Sequence, residues 1–279
     1  MIEIKELDFS YKRQQLLFNK LDLSIEYGQI HGLLGKNGAG KTTLLKLIAG
    51  LQYPKGGSIE IDKISSKNRK PEYLSKYFFV AEEFNLPSIK INSYLNIYAP
   101  FYKDFDLEAF NNYLKEFNIP KNNKLNKMSY GQKKKFLLSF GLATNSKILF
   151  MDEPTNGLDI PSKSIFRKLI AQNISEERAF IISTHQIKDI EGMIDTVIIL
   201  ENGKVMFNQN MENISKQLVF KTLESDQTND RILYSEDNII NKKAILNNLG
   251  TDDSPIDIEL LFNAVISDKQ KITNLFKTK

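Results

Sequence analysis

Two clusters of residues in this chain have the types and the spacing needed for phosphate chemistry. The first is Gly35-Lys36-Asn37-Gly38-Ala39-Gly40-Lys41-Thr42. Its glycines let successive backbone N–H groups turn toward one point, as phosphate oxygens require, and a helix beginning at its end adds a favourable dipole. Lys41 is then expected to reach the β and γ phosphates of a nucleotide, and the Thr42 hydroxyl to ligate Mg²⁺. Thr43 is placed for the α-phosphate. The second cluster is Lys147-Ile148-Leu149-Phe150-Met151-Asp152-Glu153-Pro154, an apolar run ending in two acids. Acids at a strand end are commonly just solvated. Behind a phosphate-binding loop, Asp152 fits the carboxylate on the metal side and Glu153 fits a carboxylate that polarises an attacking water.

Both clusters need strands to aim them. Ile30 to Leu34 is a mostly apolar run between Gly28 and Gly35, as for a buried strand, and Thr42 to Ala49 reads as a helix ended by Gly50. Further strands are expected before residue 35, at Tyr77 to Val80, at Ile148 to Met151 and at Phe180 to Ser183, with a helix over Ser162 to Gln172. Val197 to Leu200 and Val205 to Phe207 flank Asn202-Gly203, a hairpin turn signal. Between Ile91 and Thr144 the pattern is helical, broken at Pro100 and Pro120. Alternating strands and helices predict an α/β fold with a mainly parallel sheet, and the helical stretch reads as an inserted α-helical subdomain. The expected boundaries are 1–210 for this domain, about 85–145 for the insertion, and 211–279 for a small C-terminal extension. In the extension, Leu218 to Leu223 and Arg231 to Tyr234 read as short strands and Ile256 to Val265 as an amphipathic helix.

The chain of 279 residues is long enough for one large domain with an appendage. It contains no cysteine, which excludes disulfides and thiolate metal sites. Its first residues do not read as a signal peptide, and no stretch approaches the roughly 18 apolar residues of a membrane span. A net charge of +4 is a weak bias that demands neither a membrane nor a nucleic acid. Lys133-Lys134-Lys135 is the one compact basic run, and a solvated helix face explains it about as well as a partner does.

Four further stretches resemble those of the ABC ATPases. Met128-Ser129-Tyr130-Gly131-Gln132 resembles the signature, usually Leu-Ser-Gly-Gly-Gln, with Tyr130 in place of a glycine. Asn156-Gly157-Leu158-Asp159 resembles the D-loop, Ser183-Thr184-His185 the switch-histidine loop, and Phe9-Ser10-Tyr11 the aromatic A-loop. With the P-loop (Walker A) and the acid pair, the resemblance runs from Met1 to Phe207. It implies an ATP-binding subunit of an ABC transporter, with a P-loop NTPase core and an N-terminal antiparallel β subdomain, and with ATP and Mg²⁺ as cofactors. Two such domains would meet head to tail. Tyr11 would stack on adenine, and Ser129, Tyr130, Gly131 and Gln132 would serve the ATP held by the partner subunit. Glu153 would orient water, His185 would contact the γ-phosphate, and Asp159 would lie across the interface. The glutamine of the family's Q-loop, which follows a strand end, is missing. Aligning Phe79-Val80-Ala81 puts Glu82 there as a further Mg²⁺ ligand, with Glu83 one residue on as the alternative register and a surface acid pair as the bland one.

The implied partners are a second ABC ATPase subunit and an integral membrane permease, at the cytoplasmic face of the cell membrane. Nucleic acid is not expected, because members acting on DNA carry coiled-coil or zinc-bearing insertions and translation-related ones carry two such domains. The Asn37-Gly38-Ala39-Gly40-Lys41-Thr42-Thr43 loop and the Asp257 to Phe262 tail resemble single-domain ATPases of ABC-2-type exporters, although nutrient importers use related loops. His31 is expected to be a core histidine. Tyr94, Tyr98, Phe101 and Tyr102 are expected either to line a permease groove or to pack the helical subdomain.

Overall fold

The computed structural model describes residues 1–12, 15–120, 123–224, 230–237, 241–250 and 252–276. Strand β1 (Ile2–Phe9) alternates apolar and polar residues and pairs antiparallel with β2 (Phe18–Ile25), so Ile4 faces Leu23 and Phe9 faces Phe18. Strand β3 (Gln29–Leu34) leads through the glycine loop into helix α1 (Lys41–Ile48). Then come β4 (Gly56–Ile61), β5 (Ile64–Ser65), the short helix α2 (Pro71–Leu74) and β6 (Tyr77–Val80). The helical insertion holds α3 (Ile91–Tyr98), α4 (Leu107–Glu116) and α5 (Tyr130–Ala143). The core resumes with β7 (Ile148–Asp152), α6 (Ile160–Asn173), β8 (Ala179–Thr184) and the hairpin of β9 (Thr196–Glu201) and β10 (Lys204–Asn210). The chain continues through helix α7 (Met211–Gln217), strands β11 (Leu218–Glu224), β12 (Ile232–Asp237) and β13 (Asn241–Asn247), and helix α8 (Ile258–Ser267).

Among the described residues the central sheet runs β10-β9-β3-β8-β7-β6. All neighbours are parallel except β10, which returns antiparallel at one edge. Both faces are covered, which explains the continuous apolar runs of the sequence. Ile148 and Phe150 of β7, and Ile181 of β8, face α1 and the antiparallel sheet β2-β1-β4-β5. Leu149, Met151 and Ile182 face the other way, into a core shared with α4, α5 and α6. His31 lies in β3 at 2% exposure, with its Nε2 at 2.9 Å from the Glu26 carbonyl oxygen, and so is a core histidine.

The helical stretch over 91–144 divides into three helices at the two expected breaks, with Pro100 between α3 and α4 and Pro120 between α4 and α5. The aromatic series divides. Tyr94 is buried against Phe136 and Phe140, and Tyr102 packs on Phe140, whereas Phe101 is 70% exposed. Residues beyond 210 add a sheet ordered β11-β13-β12. Ile214, Leu218, Ile245, Ile258 and Leu261 join the same core as the ATPase sheet, so residue 210 marks a change of sheet and not of core.

Candidate nucleotide site

Parallel strands all end at one edge of the sheet, and the loops leaving those ends are therefore brought together. Leu34 is level with Thr184, Asp152 with Ser183, and Val80 with Met151. Residues 37–43 of the glycine loop, Glu153, His185 and Glu82 accordingly surround one open cavity of about 890 Å³, with Tyr11 on its rim.

The glycine loop forms as its residues dictate. Gly38 and Gly40 take positive φ values of 82° and 108°, which glycine adopts without steric cost. Lys41 turns back over the loop and donates to the Gly35 carbonyl at 2.7 Å and the Lys36 carbonyl at 3.3 Å. Its Nζ is 4.0 Å from Glu153 Oε1. Burial pushes the Lys41 ammonium below its ordinary value, against the pull of Glu153, Asp152 and Glu82. The Tyr11 hydroxyl hydrogen-bonds Thr43 Oγ1 at 2.9 Å.

The two acids have different surroundings. Asp152 accepts from Thr42 Oγ1 at 2.8 Å and from the Ser183 hydroxyl. Hard oxygens from a hydroxyl residue and a carboxylate suit Mg²⁺, which takes one or two protein ligands and completes its shell with phosphate and water. Among the described residues no cluster of three or more His, Cys, Asp or Glu side chains could hold a metal ion. Glu153 sits in the left-handed region at φ 44°. Its carboxylate accepts from Thr184 Oγ1 at 2.8 Å and from the His185 N–H at 3.0 Å, with His185 Nδ1 2.7 Å away. A strained backbone holding a buried carboxylate beside a cavity is the pattern of a functional position. Glu82 borders the cavity and accepts from Asn156 Nδ2 at 3.2 Å, while Asn156 accepts from Gln186 at 3.1 Å. Glu83 is exposed.

The signature stretch opens α5. Ser129 caps the helix: its hydroxyl accepts from the Gln132 N–H at 3.2 Å, and the Gln132 side chain accepts from the Ser129 N–H at 3.0 Å. Tyr130 turns its ring onto Phe84, with centroids 5.3 Å apart, and its hydroxyl donates to the Glu82 carbonyl at 2.8 Å. A Cβ on Gly131 would sit 2.7 Å from the Gly157 oxygen, so this position needs glycine for close approach. Asp159 caps α6 through the Ser162 N–H at 2.8 Å and lies 3.5 Å from Lys135 Nζ.

The reading of Lys133-Lys134-Lys135 as a solvated face fails at its centre. Lys134 is fully buried and donates to the carbonyls of Ala81, Glu82 and Glu153. Burial pushes its ammonium down to about 8, although Asp152, Glu82 and Glu153 favour the charge. Its position beside the inward-facing Phe136 to Leu138 was the available signal.

A second, smaller cavity of about 250 Å³ borders the site. It is lined by Lys36, Asn37 and His185 on one side and by Ile187 and Phe262 of α8 on the other. Glu259 of α8 pairs with Lys188 at 3.3 Å.

A phosphate loop between strand and helix, with two acids and a histidine on neighbouring strand ends, defines a P-loop nucleotide hydrolase. The family model for ABC transporters matches residues 18–156. An energy-coupling factor transporter ATP-binding protein, EcfA1, of Fusobacterium nucleatum is 31% identical over 95% of this chain and 98% of its own. The ABC transporter ATP-binding protein YtrB of Bacillus subtilis is 26% identical over 78% of this chain and 75% of its own. Among solved structures, a dimeric ATP-binding cassette in a post-hydrolysis state, bound to ADP and Pi, has the same fold. Its TM-score is 0.67 at 23% identity, over 76% of this chain and 99% of that one. The chain belongs to the ATP-binding subunits of ABC transporters, and it is an ATPase that binds ATP. Among the described residues no helix is long and apolar enough to cross a membrane.

Proposed function

We propose that this subunit hydrolyses ATP in a head-to-tail dimer to drive export through a separate permease, from the cytoplasmic face of the membrane. The observation that carries this reading is the convergence of Lys41, Glu153 and His185 on one cavity from three parallel strand ends, with Asp152 bonded to Thr42 at its wall. Gly35 to Thr43 would wrap the phosphates, with the Lys41 ammonium released from its loop carbonyls to the β and γ oxygens. Tyr11 would hold adenine. Thr42, Asp152 and Glu82 would hold Mg²⁺, which neutralises phosphate charge when bound. Glu153, fixed by Thr184 and His185, would take a proton from the attacking water, and His185 would turn toward the γ-phosphate. Ser129 to Gln132 would face the nucleotide of the partner, where the hydroxyl of Ser129, an acceptor within its own cap, could donate its proton to an anion. Export is favoured by the likeness of the P-loop and of the Asp257 to Phe262 tail to exporter subunits. Residues 211–279 would be an extension seated on the ATPase core.

Glu153→Gln tests the reading. The amide can place its oxygen toward the His185 N–H and its nitrogen toward the Thr184 hydroxyl, so the fold survives. Loss of the base should lower turnover roughly 10²- to 10⁴-fold. ATP should then trap a dimer visible in sedimentation. A Glu153→Gln protein that hydrolyses ATP like the wild type removes Glu153 from the chemistry. Vesicles containing the copurifying membrane protein should take up substrate from the side that carries the ATPase, as export requires.

A further inference from the structure

Lys134 takes no part in that hydrolytic scheme, yet it is among the largest fully buried side chains of the molecule. Burying an ammonium is costly unless it is well partnered, and an apolar residue of the same length would fill this space without that cost. The partners explain the choice. Lys134 Nζ donates to the carbonyls of Ala81 at 3.1 Å, Glu82 at 3.3 Å and Glu153 at 3.4 Å. These are the backbone segments that leave β6 and β7 and carry the Glu82 and Glu153 side chains. The Phe84 and Tyr130 rings lie 5.2 and 5.8 Å from the ammonium and complete its surroundings.

One helical turn earlier, Tyr130 grips the same segment. Its hydroxyl donates to the Glu82 carbonyl, and its ring stacks on Phe84. The ring also lies against Gly157, where a Cβ would stand 2.5 Å from it. Residues four apart on a helix share a face, so both side chains reach the same loop from α5. The substitution of tyrosine for a small residue at position 130 thus has a structural use within its own chain.

We propose that Lys134 and Tyr130 are positioning residues for ATP hydrolysis, clamping α5 to the ends of β6 and β7 so that Ser129 to Gly131, Glu82 and Glu153 move as one body. This rests on the head-to-tail reading. In such a dimer the body touches both nucleotides, Ser129 and Gly131 that of the partner, Glu82 and Glu153 its own. Occupancy of one site then adjusts the geometry of the other.

The test uses the full chain and three variants. Lys134→Met keeps length and loses every donor, Lys134→Gln keeps two N–H donors without the charge, and Tyr130→Phe loses only a hydroxyl. ATP affinity, kcat, the Hill coefficient for ATP hydrolysis and Tm are measured for each. The wild type should show a Hill coefficient above one. Lys134→Met should lower kcat about tenfold or more, since small misplacements of catalytic groups are expensive. It should bring the Hill coefficient toward one and leave ATP affinity within about twofold of wild type. Lys134→Gln should recover most of the turnover at a similar Tm, and Tyr130→Phe should lower the Hill coefficient. If Lys134→Met does not fold, Tyr130→Phe and Lys134→Gln carry the test. Variants with wild-type kcat and Hill coefficient, or with losses that merely track Tm, overturn the clamp. If ATP traps no dimer of Glu153→Gln, the head-to-tail reading itself fails, and the link between sites fails with it.

Discussion

Tyr11 is the side chain whose contribution can be divided most cleanly. Its ring is held edge-on by Phe9, with centroids 5.1 Å apart, and is 40% exposed on the rim of the nucleotide cavity. Its hydroxyl is engaged by Thr43 at 2.9 Å. Stacking a base on an aromatic ring is worth about 1–3 kcal/mol, or roughly 5- to 150-fold in affinity. The hydroxyl bond is worth about 0.5–1.5 kcal/mol to the protein, but it already exists without nucleotide, so little of it enters the binding equilibrium. Tyr11→Ala should therefore weaken ATP binding within that stacking range, and Tyr11→Phe should change it by no more than about threefold. Titration calorimetry with ATP, repeated with inorganic tripolyphosphate, separates the adenine from the phosphates. Tripolyphosphate should bind the wild type and Tyr11→Ala alike. Equal ATP affinities for Tyr11 and Ala, or equal losses of ATP and tripolyphosphate, would refute stacking.

Two other predictions use charge. A carboxylate at Glu82 repels a phosphate oxygen about 5 Å away by roughly 3 kcal/mol at an effective dielectric of about 20, and solvent reduces this at a half-buried site. Glu82→Gln should bind metal-free ATP about three- to tenfold more tightly than wild type while changing little with Mg²⁺; the same metal dependence in both proteins would make Glu82 a bystander. Burial pushes His31 below its ordinary value, against weaker pulls from the Glu26 carbonyl, Asp195 and Glu26. Below about pH 6.5 the unfolded chain takes up a proton that the fold refuses, so its contribution is intact above that pH and lost as pH falls, by at most about 1.4 kcal/mol per unit. Unfolding curves from about pH 7.5 to about pH 5.5, which span that ordinary value, should show a shallower acid loss for His31→Gln, and parallel slopes would contradict this.

Much of the site is legible before any fold is known, because its information is local. A run of glycines before Lys41-Thr42 and a pair of acids after an apolar run each carry their chemistry within a few residues. The central strands are legible because both of their faces are buried, which makes them continuously apolar. Strand β4 is less visible: it begins Gly56-Gly57-Ser58, with Gly57 at φ 75°, and its fit depends on pairing with β1. Strand β13 opens with Asn241-Lys242-Lys243 and is recognised only through its two neighbours. Lys134 was hidden for a different reason. Flanked by two lysines, it carries the composition of a surface, while the helical period turns that one position inward. The bond between Glu82 and Asn156 joins residues 74 apart, and such closeness is a property of parallel strand order that no local pattern states.

The seat of α8 bears on how this subunit can evolve and be engineered. Phe262 helps to wall the small cavity beside Lys36, Asn37 and His185, and Glu259 holds Lys188, the neighbour of the Ile187 that lines the same cavity. A tail attached there is not luggage that can be exchanged between transporters. Cutting the chain after residue 210 would strip Ile187 and the His185 loop of their covering and leave Ile214, Leu218 and Leu261 missing from the common core. Mutations that drift into this tail should therefore be felt by the His185 loop, and chimeras that keep α8 with its own ATPase core should be the ones that stay active.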